Sequence, residues 1–192
     1  MHRGFATEPA TWGAVLAFAE DPVAEAAAGR GPKRSKEIED RYARYKQWCN
    51  DRGHTGVQLV LATSAWQKVG TADVRIALEP NIVPYHLPDG VHHWVLWYHP
   101  DDTNPASDLQ RSRCEYDANT FFDGKLTSEE LIAFQNIPAF RSVPELAHAH
   151  VFIRPQNEAN ATTLRALRTN RCIRSPWAES ERLNGRGHEV GF

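Results

Sequence analysis

Cysteine is scarce and scattered in this chain: Cys49, Cys114 and Cys172 are the only three in 192 residues. Such spacing excludes the paired cysteines of a disulfide framework or a zinc motif and reads as reduced cytoplasmic thiols. Long apolar runs are missing as well. No segment approaches the ~20 apolar residues of a membrane span, and residues 1–20 lack the basic start and unbroken apolar stretch of a signal peptide. A net charge of −2 gives no global attraction to polyanions, so any nucleic-acid contact has to come from local basic patches. Internal repeats and low-complexity tracts are absent too. These absences predict a soluble, cytoplasmic protein with no membrane partner.

What is present points to one packed domain over residues 1–192: 41% hydrophobic residues, with six Trp and eight Phe, exclude disorder in the middle of the chain. Thr11 caps a short helix that ends near Asp21-Pro22. A flexible basic linker over about residues 29–35 leads to Ser35, which opens a helix reaching about Asn50, with Ile38, Tyr42, Tyr45 and Cys49 on one face. A helix over 56–66 and a strand over 73–78 follow. Residues 100–125 read as a long loop, Thr127 to Gln135 as a capped helix, 159–174 as a basic helix and about 178–192 as a polar tail. The predicted class is α+β, a small and mostly antiparallel sheet with helices packed mainly on one face.

The chain is organised around two histidine-bearing strands, one inside Pro84–Pro100 and the other at His148–Arg154. Strand side chains alternate faces, so His148, His150, Phe152 and Arg154 share one face while His93, Val95 and Trp97 share another. If both strands lie in one sheet, His93 meets His148 and His150. Imidazole exchanges protons near neutrality, with an ordinary pKa of about 6.5. The same cluster also suits metal binding, since His-x-His places two rings on one face and His93 supplies a third, with Asp89 and Glu145 as the nearest carboxylates. A structural role is the third reading. For His2, His54, His86, His92, His99 and His188 packing or solvent exposure is the expectation.

The order of several short motifs resembles a known family. They are Arg41-Tyr42 with Tyr45, the segment from Gly56 to Trp66, Asn81-x-x-Pro84-Tyr85, Gly90-Val-x-His93-x-Val95-x-Trp97, and Ser142-Val143-Pro144 before His148-x-His150-Val151. Together they resemble the domain of fungal N-acetylglucosamine-induced protein 1, a domain of unknown function, over roughly residues 11–155. The chain departs from the family pattern at Ile82, where the family carries Asp after the motif Asn. The family is associated with the arginine-containing cyclodipeptide synthases. That resemblance implies peptide-bond formation from aminoacyl-tRNA, with an arginyl substrate and a second amino acid, and with no ATP or other cofactor because the ester is already activated.

For that chemistry His93 and His150 are the expected acid/base pair, with His148 orienting or binding, and Asn81, Tyr85 or Arg154 stabilising the oxyanion. Trp97 shares a face with His93 and could stack on an adenine or substrate ring. A guanidinium pocket would draw on Asp89, Glu115, Asp117 or Glu145. Arg41 and Arg44 in one basic run, and Arg165, Arg168 and Arg171 in another, would grip tRNA phosphates if they fall on the histidine side; a solvated helix face is the bland alternative. Of the thiols, Cys114 in the expected loop is the one to test with an alkylating reagent. Two other classes stay open: a metal-dependent hydrolase or oxygenase using His93, His148 and His150, and a non-catalytic small-molecule binding module.

Overall fold

Seven aromatic and branched residues, His92–Tyr98, and six more, His148–Ile153, form adjacent antiparallel strands, β3 and β5, in a computed structural model that describes residues 5–69 and 74–170. Three further strands, β1 (Gln67–Val69), β2 (Val74–Pro80) and β4 (Leu131–Phe134), complete an antiparallel sheet in the order β1-β2-β3-β5-β4. Register decides which residues share a face. His93 pairs with Phe152, Val95 with His150 and Trp97 with His148, and across β2 Glu79 pairs with Val95 and Ala77 with Trp97. All of these therefore line one face.

The opposite face is a closed core. Trp94, Leu96, Tyr98, Val151 and Ile153 pack against Cys114 and Ala118 of α5 (Arg111–Asn119) and Leu164 of α6 (Glu158–Asn170). Each large side chain so buried contributes about 1.5–3 kcal/mol. This is the expected layer of helices on one face, and the α+β class holds. The histidine face also carries a helix, because Val15, Phe18 and Ala19 of α1 (Trp12–Glu20) pack on Phe134 and Phe152. Thr11 caps α1 by accepting the Ala14 N–H, and Asp21 then caps the short α2 (Pro22–Ala27). Beyond α1, the second face is roofed by α3 (Lys36–Arg52) and α4 (Gly56–Thr63), capped by Ser35 and Thr55.

Four expectations need correction. The predicted loop over 100–125 contains α5, which is held by the i,i+4 pairs Arg111–Glu115 and Arg113–Asp117 and by Cys114 and Ala118 in the core. Cys114 is thus a buried helix residue, and burial pushes its thiol pKa up to about 12, which removes it as a reactive thiol. The predicted helix at 127–135 is one turn followed by β4. Its cap is real, since the Thr127 N–H and hydroxyl both donate to Glu130, but Leu131–Phe134 then pairs with β5. The 29–35 run is tied down rather than free, with Ala6 and His86 donating their N–H groups to the carbonyls of Arg34 and Lys33. Gly31 explains the approach: its φ is +121° and a Cβ there would stand 2.5 Å from the Phe18 ring, so only glycine fits. Asp73, Arg171, Cys172, Arg174 and the 178–192 tail lie outside the described residues.

Candidate active site

The site begins where β2 ends. Asn81 folds the chain back, its side-chain oxygen accepting the Val83 N–H at 2.9 Å, and Pro84 then presents Tyr85 to the sheet. The Tyr85 backbone N–H donates to His93 Nδ1 at 3.0 Å, and its ring stacks on the imidazole with centroids 4.7 Å apart. A backbone N–H can only donate, so Nδ1 carries the lone pair and the neutral ring carries its proton on Nε2. That Nε2 lies 2.8 Å from His150 Nδ1. The Asn81 amide nitrogen, 3.2 Å from the same Nε2, offers no acceptor, which leaves the proton to His150. His150 must then hold its own proton on Nε2, 2.7 Å from the Asn136 side-chain amide. The amide oxygen belongs on that edge. Exchanging the two amide atoms gives Asn136 Oδ1 the donor it otherwise lacks and lets the Tyr85 hydroxyl, 3.4 Å away, donate to it. The order Tyr85 N–H, His93, His150, Asn136 is thus a directed chain of buried groups. Burial, and then the charge of Arg34, hold the His93 pKa well below its ordinary value.

His148 is different. Its Nδ1–H donates to the Leu146 carbonyl at 2.8 Å, which fixes the tautomer and leaves Nε2 as a bare lone pair. The ring packs 4.9 Å from Trp97, is 2% exposed, and lines the cavity described next. Burial lowers its pKa, opposed by the Leu146 carbonyl and assisted by Arg141, so the ring is neutral at pH 7.

A cavity of about 420 Å³ lies between the sheet face and the α3–α4 roof. Val95, Trp97, His148 and His150 form its floor, while Tyr42, Tyr45 and Lys46 of α3 and Leu59 and Val60 of α4 form its walls. Its charged lining residues are Arg34, which pairs with Glu39 at 3.2 Å, Lys46 and Glu79. Arg34 donates from Nε to the Val83 carbonyl at 2.9 Å and lies over the Tyr42 and Tyr85 rings at 4.6 and 5.5 Å, and Lys46 Nζ also lies 4.6 Å from the Tyr42 ring centre. Glu79, 7% exposed, stands on the β2 side of the floor with Oε1 accepting the Ala65 N–H at 2.9 Å. Among the described residues no group of three His, Cys, Asp or Glu side chains is arranged to hold a metal ion, because His93 and His150 turn their nitrogens on each other.

The sequence-predicted residues divide accordingly. His93, His150, His148, Tyr85, Asn81 and Trp97 come together. Arg154 does not: it lies over Trp12 at 4.7 Å and donates to the Glu129 carbonyl. Asp89 and Glu145 are exposed and outside the cavity lining. Glu115 pairs with Arg111, and Asp117 accepts from the Tyr98 hydroxyl and Arg113 beneath the other face. Arg41 and Arg44 ride on α3 over the histidine side, whereas Arg165 and Arg168 are on α6, which packs against the opposite face. Arg171 lies outside the described residues. Asn136, Glu79 and Arg34 were not anticipated as site residues. For Glu79 the signal was available, since extending the β2 alternation from Arg75 and Ala77 puts it on the histidine face.

Comparison with known proteins agrees on the fold and names no activity. The solved structure titled "Crystal Structure of HTC1" superposes with a TM-score of 0.56 at 22% identity, covering 87% of this chain and 97% of that one, which supports the fold alone. The "Uncharacterized protein YPL067C" of the yeast Saccharomyces cerevisiae is 27% identical over 139 residues, 63% of this chain and 69% of the relative. Residues 30–154, a span that holds Arg34, Glu79, Asn136 and all three clustered histidines, match the family described as "Protein of unknown function (DUF3605)", and the chain belongs to that family.

Proposed function

We propose that the cavity carries out aminoacyl-tRNA-dependent peptide-bond formation of the cyclodipeptide-synthase kind, using an arginyl ester as one substrate. The observation that carries this reading is His148, held in one tautomer by a backbone carbonyl and lining the cavity, with the lone pair left on Nε2. A neutral imidazole so placed is a general base for an attacking ammonium-derived amine. The α-amine of one aminoacyl group attacks the ester carbonyl of the other, and His148 takes the amine proton. The C–O bond to the tRNA ribose then breaks and the same proton passes to the leaving oxygen. Repeating the step within the linear dipeptidyl ester closes the ring, so two esters are consumed, two amides form and two uncharged tRNAs leave. Arg34 and Lys46, each 4.6 Å from the centre of the Tyr42 ring, supply cations beside an aromatic ring for the phosphates and adenine of the acceptor end. His93, His150 and Asn136 act as positioning residues, since their nitrogens are already paired with one another. The order of motifs from Arg41 to Val151, which resembles that of N-acetylglucosamine-induced protein 1, supports this reading.

Incubation with total charged tRNA followed by mass spectrometry tests it. A cyclic dipeptide containing arginine is expected, and no product across all twenty amino acids overturns the reading. The complete internal pairing of the His93–His150–Asn136 chain favours one other reading, a non-catalytic binding module, which would show ligand-induced stabilisation without turnover.

A further inference from the structure

We infer that Arg141 and the proline-walled cavity beside it form a second binding site, linked to the histidines through Asn136, and that its ligand is a small carboxylate with an apolar body. The inference does not depend on the reaction proposed above. A cavity of about 400 Å³ lies between residues 104–108 and 138–144, within the size range of small-molecule sites. It shares no lining residue with the histidine cavity. Pro105, Pro138, Pro144 and Ala106 give it apolar walls, and Arg141 is its cation.

The Arg141 side chain is 8% exposed, and its hydrogen bonds go to neutral acceptors: Nε donates to the Asn136 carbonyl at 2.9 Å and Nη1 to the Pro105 carbonyl at 3.3 Å. Its charge is barely compensated. Among the described residues its one carboxylate partner is Asp108, whose Oδ1 is 4.0 Å from Nη2 on a side chain 92% exposed, which is beyond a hydrogen bond. A guanidinium so deeply placed is costly to hold without a close counter-ion, and a carboxylate meeting Nη2 would offset that cost with two coplanar oxygens. Phosphate fits worse, because its further oxygens would face proline rings that donate no hydrogen bond. The walls are set before a ligand arrives. Asn104 Oδ1 accepts the Ala106 N–H at 2.9 Å, and Gln135 fastens the same loop by accepting the Leu109 N–H at 3.1 Å and donating to the Ser107 carbonyl at 3.3 Å. Occupancy would also be felt at the histidines, since Asn136, whose carbonyl takes Arg141 Nε, has its side-chain amide 2.7 Å from His150 Nε2.

The test titrates the full chain with benzoate, its neutral counterpart benzamide and inorganic phosphate, followed by proton–nitrogen NMR. Benzoate is expected to bind saturably and at least about tenfold tighter than benzamide, the effect of one charge-assisted hydrogen bond to a buried partner. Its binding should shift the Arg141 Nε–H and His150 ring N–H signals. Arg141→Lys, which keeps the charge and loses the fork, should weaken benzoate about tenfold. Asp108→Asn, a change on an exposed side chain, should tighten benzoate roughly two- to fivefold by removing the competing carboxylate, and it serves if Arg141→Lys fails to fold. Equal binding of benzoate and benzamide, no saturable benzoate binding, tighter binding of phosphate, shifts at Lys46 without shifts at Arg141, or a benzoate affinity untouched by Asp108→Asn overturns the inference.

Discussion

The two faces of the sheet bury polar groups in opposite ways. Under α5 and α6, Asp117 accepts from the Tyr98 hydroxyl at 2.9 Å and from Arg113 at 2.5 Å, and Glu130 takes donors from Thr127, Gln156 and Asn160. Every one of those oxygens faces protein. On the histidine face His148 lines the cavity instead. Strand alternation is the same on both sides, so the difference lies in what stands opposite. Cys114 and Ala118 are small and let α5 close directly on the sheet. The roof over the histidines is held off from the floor, with α4 anchored at its start, where Gly56 approaches Val143 so closely that a Cβ would stand 3.1 Å from that side chain. A buried polar group paired to protein holds the fold, and one turned to a cavity is free to meet a ligand.

The comparison breaks most sharply with a pair of substitutions. His148→Ala should reduce dipeptide formation by about 10²–10⁴-fold, the worth of a general base, while leaving the melting temperature nearly unchanged. Asp117→Ala should do the reverse, costing about 2–4 kcal/mol because it strands the Tyr98 hydroxyl in the core and frees Arg113. Denaturant melts and turnover assays on both variants check this. Loss of folding in His148→Ala, or loss of activity without loss of stability in Asp117→Ala, would erase the distinction between the faces.

A pH series sharpens it next. Burial lowers the pKa values of His93, His148 and His92, the last also through Arg168, so the folded chain holds these rings neutral where the unfolded chain protonates them. Below about pH 6.5 the unfolded state therefore binds more protons and stability falls as pH drops, by up to about 1.4 kcal/mol per pH unit for each such ring. Glu130 acts lower. Burial raises its pKa, but the donors of Gln156, Asn160 and Thr127 outweigh burial and leave it depressed. Its contribution is in place above about pH 4.3 and is lost as pH falls through the folded value. Urea midpoints at pH 8, 7, 6 and 5 should show a flat region and then a decline, and a constant midpoint down to pH 5 would refute the neutral-imidazole account.

The histidine convergence was legible because β5 alternates His148, His150 and Phe152 with Ala149, Val151 and Ile153 while β3 carries His93 and Trp97 on one face, and adjacency in one antiparallel sheet then leaves few registers. Helix α3 was legible from Ser35 and the spacing of Ile38, Tyr42, Tyr45 and Cys49. Helix α5 was not, because its buried positions are Cys114, Asp117 and Ala118, too weakly apolar to mark a stripe, and its support comes from ion pairs within a Ser- and Asp-rich stretch. At Thr127 the local cap signal was correct and its extent was decided elsewhere, by β5 offering Leu131–Phe134 a partner. That misreading also hid Asn136, which stands just past β4 rather than beyond a helix. Roles within the cluster depended on which nitrogen faces which neighbour, and periodicity carries no information about that.

The smallest predicted effect separates the basic patches by face. Lys46 is at the cavity, whereas Arg165 is on α6, across the sheet, and is paired with Glu158. Lys46→Glu should weaken binding of an acceptor-stem RNA several-fold and lower the slope of log affinity against log salt by about one, as expected for one lost phosphate contact. Arg165→Glu should change neither, since its charge is already compensated and it faces away from the histidines. Anisotropy titrations at three salt concentrations distinguish them. Equal losses from both reversals would mean that the RNA grips α6 as firmly as the cavity mouth, and the histidine face would no longer be the side on which charge and chemistry coincide.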